Sequence, residues 1–142
     1  PDLVESGELG GVTIEGEWLD IGTGELYLAT HDSVAAGRSR LVQFPSPTPE
    51  PWVYVEPGAV IEPGATVEES VVLAGATIHD GATLRRAVIG KGAVVETGAV
   101  VTGASLVGER ATVGSGCEID RGARIAPGVT LQPGSITFSP PQ

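Results

Sequence analysis

The sequence has no methionine, a single cysteine and two histidines. The absence of Met, with Pro at position 1, gives the expectation of a fragment or a processed product. One cysteine excludes an internal disulfide, and Cys117 reads as a small core residue rather than a nucleophile. Aromatic residues are 4% of the chain, too few for a broad globular core but suited to a narrow one. Lys and Arg number 8 against 18 Asp and Glu, for a formal charge of −10, and they form no basic run. That balance disfavours binding to phosphate backbones and to anionic membranes. No apolar stretch approaches the roughly 18 residues of a membrane span. No signal-peptide pattern occurs, which gives a cytoplasmic expectation. Gly-x-Ser-x-Gly, P-loop and paired-Cys motifs are absent as well.

What the chain does have is glycine, 21 residues, and proline, 11, set in a fixed rhythm. From Val55 onward it reads VEPGAV, IEPGAT, VEESV, VLAGAT, IHDGAT, LRRAV, IGKGAV, VETGAV, VTGASL, VGERAT, VGSGCE, IDRGAR, IAPGVT, LQPGSI. An aliphatic residue opens each unit, Gly usually follows three places on, and then comes a small or β-branched residue such as Ala59, Ala65, Val71 or Ala76. A hexapeptide period denotes a parallel β-helix. In Glu56-Pro57-Gly58-Ala59, Pro presets φ and Gly supplies the positive φ of a type II turn. Gly58, Gly64, Gly75, Gly81, Gly92, Gly98, Gly116, Gly122, Gly128 and Gly134 take that turn place. Arg110 occupies it in its own unit, which predicts either a strained backbone or a different turn. The opening aliphatic and the small residue point inward, and stacking buries what no unit can bury alone. Three units make a coil of about eighteen residues, stacked at about 4.8 Å. The units Val67–Val71 and Leu84–Val88 are one residue short and start 17 residues apart, so both shortenings fall on one corner of successive coils. This pattern resembles the left-handed parallel β-helix of the hexapeptide-repeat family, and the left hand is implied by that resemblance alone. The expected fold is mainly β: about 4.5 coils from fourteen units, preceded by a short strand/helix appendage.

Three stretches are expected: an appendage over 1–37, a Pro-rich linker over 38–51 and the β-helix over 52–138. Val12, Ile14 and Trp18 around Gly16 suggest a strand or two-stranded hairpin over 11–21. Thr23 is a candidate N-cap for a helix over roughly 24–36, with Tyr27, His31 and Val34 on one stripe and Gly37 as its stop. That helix needs a partner, either the end of the β-helix or a further domain. Trp52 and Tyr54 are expected to cover the open mouth of the prism, and Phe138 with Pro140 and Pro141 to end the stack. Outside, Glu68 and Glu69 lie one coil from Arg85 and Arg86, and Lys91 one coil from Glu109, as solvated pairs worth about 0.2–1 kcal/mol each. Val60, Thr77, Val94, Thr112 and Thr130 form an outward β-branched column. It reads either as ordinary strand chemistry or as a flat subunit interface.

Two sites carry chemistry. His79, beside Asp80, is the one histidine on the repeats. It is either an exposed turn residue or the general base of a hexapeptide acyltransferase, and it is too few for a three-histidine zinc site. The second is Glu15-Gly16-Glu17-Trp18-Leu19-Asp20-Ile21-Gly22-Thr23-Gly24-Glu25-Leu26-Tyr27-Leu28. This segment, with Pro1-Asp2-Leu3-Val4 and Gly10-Gly11 ahead of it, resembles the end of the catalytic domain of sugar-1-phosphate nucleotidyltransferases, where the family reads G-x-W-x-D-I-G-T-P-x-x-Y-L-x-A. Mannose-1-phosphate guanylyltransferases continue into a helix, a linker and a hexapeptide β-helix, the order found here. Gly24 stands where the family has Pro.

The resemblance implies that residues 1–37 are the tail of a catalytic domain and that Asp20 ligates Mg²⁺ in the intact enzyme, as a hard cation requires. Without that enzyme, Asp20 reads as a cap of the loop before Thr23. The family's G-x-G-T-R-x-x-P nucleotide loop and its second metal-binding aspartate are absent from the chain. No catalytic residue is therefore assigned, no cofactor is expected for the chain alone, and it is expected to be inactive by itself. The implied role is the C-terminal portion of an enzyme converting NTP and sugar 1-phosphate to NDP-sugar and pyrophosphate. The β-helix would serve as a structural, homo-oligomerising and regulatory module. Two alternatives stand beside it: an acyltransferase using His79, and a non-catalytic scaffold subunit that pairs with a separate catalytic chain. The sugar and the base are not legible, because the residues that read them are not in the sequence.

Overall fold

The computed structural model describes residues 2–42 and 50–137. Helix α1 is Asp2–Glu5 and helix α2 is Gly24–Ala35. Fourteen short strands follow, three to a coil, and all pair in parallel with the coils above and below. One face is built from β1 (Val53–Val55), β4 (Ser70–Val72), β7 (Ala87–Ile89), β10 (Ser105–Val107) and β13 (Arg124–Ile125). The second holds β2 (Val60–Ile61), β5 (Thr77–Ile78), β8 (Val94–Val95), β11 (Thr112–Val113) and β14 (Thr130–Leu131). The third holds β3 (Thr66–Glu68), β6 (Thr83–Arg85), β9 (Val100–Val101) and β12 (Glu118–Ile119). The architecture is the parallel β-helix that the repeats require.

Strand register follows the repeat. Ile61 pairs with Ile78, Ile78 with Val95 and Val95 with Val113. These opening aliphatics point inward with the small residues Ala76, Ala82, Ala93, Ala99 and Ala111, and from Val72 to Ile119 the prism core is closed to solvent. Cys117 is part of it, and its thiol donates to the Gln132 carbonyl at 3.2 Å. Nine of the ten expected turn glycines have positive φ. Gly64 does not. Its turn closes with Ala65 N–H on the Glu62 carbonyl at 3.0 Å while φ stays outside the left-handed region. A Cβ at Gly64 would instead run into the Asp80 carboxylate, so space rather than backbone angle requires glycine there. Arg110 takes the glycine conformation itself, with φ of 53°.

The shortened corner behaves as its register demands, with Val67 opposite Leu84 and Glu68 opposite Arg85. It turns on one left-handed residue, Glu69 (φ 46°) and then Arg86 (φ 51°). In the next two coils, where the units are full length, the same corner uses two: Gly103 with Ala104, then Arg121 with Gly122. One detail differs from the repeat reading. The small inward residue of each short unit is Ser70 or Ala87, both fully buried, and Val71 lies on the outer side of its strand. Losing a residue from the turn moves the alternation forward by one place, and side chains alternate across a strand.

The region ahead of the coils also departs from expectation. No strand or hairpin forms over 11–21. Val12, Ile14 and Trp18 are 90%, 82% and 80% exposed, and among the described residues no second strand lies beside them to complete a ladder. Trp52 and Tyr54 do not cap the prism mouth. Tyr54 pairs with Val71 in register, which puts both on the outer side of their face. There, with Trp52, they meet α2. Phe138, Pro140 and Pro141, and the linker prolines Pro45, Pro47 and Pro49, lie outside the described residues.

Candidate functional site

The local chemistry around α2 accounts for its position. The Asp20 carboxylate accepts from Gly22 N–H at 2.9 Å, and this Asx turn leads the chain into the helix. Thr23 is the N-cap, its hydroxyl oxygen accepting from Leu26 N–H at 3.1 Å. Gly37, with φ of 67°, ends the helix. Gly24 is buried, and a Cβ there would lie 3.0 Å from the Ala104 carbonyl oxygen and 2.5 Å from Leu106 Cδ1. Glycine at this place lets the start of α2 sit directly on the β-helix wall, which a proline ring would prevent.

The partner of α2 is the side of the β-helix, not its end. Leu28, fully buried, packs with Trp52, Val71, Val88 and Ala104 in a second core outside the prism. His31 stacks on Trp52 with ring centroids 5.6 Å apart, and its Nδ1 lies 3.0 Å from the Tyr27 carbonyl. Burial first, then the charge of Glu56, pushes the Tyr27 hydroxyl above its usual pKa. Beyond the helix, the Glu17 carboxylate accepts from Arg40 N–H at 2.6 Å and from Ser39 Oγ at 3.2 Å, tying the first segment to the chain that leaves α2.

At the shortened corner, Arg85 pairs with Glu68 at 2.8 Å in solvent, as the coil ladder predicts. Arg86 does more. Its guanidinium reaches Glu69 one coil away at 3.2 Å, and also Asp32 and Glu25 of α2, both at 3.1 Å. Asp32 is held from the other side by Trp52 Nε1, which donates to it at 2.7 Å. Burial works against the Arg86 charge, but the hydrogen bonds it donates to Asp32 and Glu69 outweigh that and raise its pKa. Sequence reasoning found the Glu69–Arg86 ladder and missed the helix acids. Asp32 and Arg86 lie 54 residues apart, and no local pattern links them. The Lys91–Glu109 ladder does not form: Glu109 pairs with its neighbour Arg110 at 3.1 Å.

His79 lies on the opposite side of the repeat pattern. Its Nδ1 is 3.0 Å from Glu62 Oε1 in the preceding coil, so Glu62 orients the ring. The other Glu62 oxygen accepts from Asp80 N–H at 2.7 Å. That backbone bond, then the His79 contact, holds the Glu62 carboxyl below its usual pKa. A groove of about 370 Å³ lies elsewhere, between Ile21–Gly24 and Tyr27 on one side and Leu73, Leu106 and Ile125 on the other. It does not reach His79.

Among the described residues no three His, Cys, Asp or Glu side chains come together to hold a metal. Asp20 by itself offers one carboxylate with one oxygen already engaged, short of the oxygen set that Mg²⁺ takes. None of the described helices is long and apolar enough to cross a membrane. The column Val60, Thr77, Val94, Thr112 and Thr130 runs in continuous register up the second face.

A comparison with curated proteins gives no match. The family model of the GMPPB C-terminal domain matches residues 46–135, more than half of the chain and nearly all of the coils. The chain thus belongs to the GMPPB C-terminal domain family and is a mannose-1-phosphate guanylyltransferase-like C-terminal region.

Proposed function

We propose that this chain is the C-terminal portion of a sugar-1-phosphate nucleotidyltransferase, in which a catalytic domain runs through residues 1–37 into a β-helix that supports and oligomerises it. One observation carries this reading. The segment Trp18-Leu19-Asp20-Ile21-Gly22-Thr23 leads without a break into a helix fastened to the β-helix. Ahead of that helix, Leu3, Val4, Leu9, Val12, Ile14, Trp18 and Ile21 are all more than half exposed. A row of large apolar side chains in solvent marks a surface that packs against something else.

In this reading the reaction is attack of a sugar 1-phosphate oxygen on the α-phosphorus of an NTP, with pyrophosphate leaving. GTP and mannose 1-phosphate are the substrates that the family suggests. Asp20 would hold Mg²⁺ together with residues of the catalytic domain, and the ion would neutralise charge on the phosphates. Within this chain, Asp20 and Thr23 shape the loop that carries the carboxylate, and α2 fixes where that loop stands.

The test is pyrophosphate release from GTP and mannose 1-phosphate by the protein made from its complete reading frame. Mg²⁺-dependent release that Asp20→Ala abolishes supports the proposal. Absence of release with every NTP and sugar phosphate pair overturns it, and an activity gained only on adding a separate catalytic chain would make this a scaffold subunit. Oligomerisation through the β-branched column has its own test. Val94→Glu with Thr112→Glu lowers the mass measured by sedimentation if that face joins subunits. An unchanged mass places the contact elsewhere.

A further inference from the structure

We propose that Arg86 is the pin that docks α2 on the β-helix and so sets the direction in which the chain ahead of α2 leaves it. The catalytic half of this statement rests on the function proposed above; the docking half does not.

Three observations converge on this one side chain. First, Arg86 is bonded to α2 at two places. It holds two acids of the helix, Glu25 in the first turn and Asp32 in the last two turns. Two attachment points about ten ångströms apart along a helix fix its rotation as well as its place. Second, the backbone aims the side chain. Arg86 has φ of 51°, a conformation that arginine adopts at a cost, at the corner narrowed by the one-residue deletion. In the next coil the same corner carries Gly103 and Ala104, and the start of α2 rests on Ala104. Third, the pin is braced from both sides. Glu69 holds it from the neighbouring coil, and Trp52 holds Asp32. The apolar contacts of Leu28 with Val71 and Val88 supply adhesion. Hydrophobic contact is non-directional, so the charged pair is what selects one seating of the helix.

The experiment uses this chain with Trp18→Phe, which leaves Trp52 as the single tryptophan reporter beside α2. Arg86→Gly removes the side chain and suits the left-handed backbone, so loss of the pin is separated from backbone strain. Arg85→Ala, at the same corner but paired with Glu68 alone, is the control. Amide hydrogen exchange is read over residues 26–36 and over the strands. Arg86→Gly should speed exchange in α2 by roughly tenfold or more, the scale of losing charge-assisted hydrogen bonds, and shift Trp52 emission to the red. The strands and the Arg85→Ala protein should not change, and Arg86→Lys should restore part of the protection. Unchanged exchange in α2 of Arg86→Gly overturns the docking role, as does an equal effect in Arg85→Ala.

The coupling half is read in the full-length protein. Arg86→Gly should lower kcat for pyrophosphate release while the thermal midpoint of the β-helix stays in place. Wild-type kinetics with an undocked helix would overturn the coupling. A wild-type protein with no nucleotidyl transfer would overturn the proposed function and leave the exchange result standing.

Discussion

Two regions of this molecule are rich in aliphatic residues, and they treat them in opposite ways. Between Ala76 and Ile119 the inward residues are sealed, with Ile78, Leu84, Val95 and Val101 at 0% exposure. Between Leu3 and Ile21 every large apolar side chain but the half-buried Leu19 is in solvent. The compositions overlap, so composition is not the cause. In the coils each apolar residue meets its own equivalent one turn above and below, which makes burial automatic once the turns are set. Residues 2–22 have no repeat, and the chain offers them no such neighbour. Burial here is a property of periodic placement, and apolar character without it leaves a surface to be covered from outside.

The most direct way to break the contrast is to cut a core methyl cluster. Leu84→Ala should cost about 2–5 kcal/mol by urea denaturation, while Ile14→Ala should stay within about 0.5 kcal/mol of wild type. Equal effects would mean that the first segment is packed. Glycines should divide the same way. A Cβ on Gly90 would lie 2.7 Å from the backbone of residues 107–109, whereas Gly10 and Gly11 have nothing within 4 Å. Gly90→Ala should therefore lose about 1–3 kcal/mol and Gly10→Ala almost nothing. Gly98 has open space around it but φ of 70°. Gly98→Val isolates backbone strain and should cost about 1–2 kcal/mol. The reverse change is gentler: Arg110→Gly should gain less than about 1 kcal/mol, strain relieved set against a freer unfolded chain.

The smallest effect is acid sensitivity. Glu62 spans two coils and its folded pKa is lowered, chiefly by the Asp80 N–H. Its contribution is present above the unfolded carboxylate value of about 4.3 and disappears as pH falls through the lower folded value. The urea midpoint of Glu62→Gln should fall less on acidification than that of wild type. Parallel falls would remove Glu62 as a coil-to-coil tie.

The repeat made the core, the strand register and the common corner of the short units readable from sequence, because period and burial are one geometric fact. The ends of α2 were readable too, through Thr23 and Gly37, since caps are local. Three things were not. The parity slip at Val71 follows from which turn residue is deleted, and the repeat alone does not say which. The placement of Trp52 and Tyr54 depended on α2 lying along a side wall, decided by Gly24 against Ala104 and by Arg86 with Asp32, which are contacts between distant residues. Gly90, tight against the next coil, stood outside the turn positions and so gave no signal in the hexapeptide phase. At the candidate site, the Asp20 loop and the Glu69–Arg86 ladder were visible, but the junction they belong to was not.

The second core outside the prism has a further consequence. Coils that touch only their neighbours come apart as a boundary moving along the stack. Tyr54, Val71, Val88 and Leu106, one from each of four successive rungs, share the cluster beneath α2. A helix laid across four rungs acts as a splint. No one of these rungs can open without disturbing the helix that holds the others, so melting there becomes collective. Beyond the splint, at Val129 and Leu131, the rungs have only each other among the described residues. Four of the five rungs of the first face are therefore splinted by α2, and those beyond them open more readily.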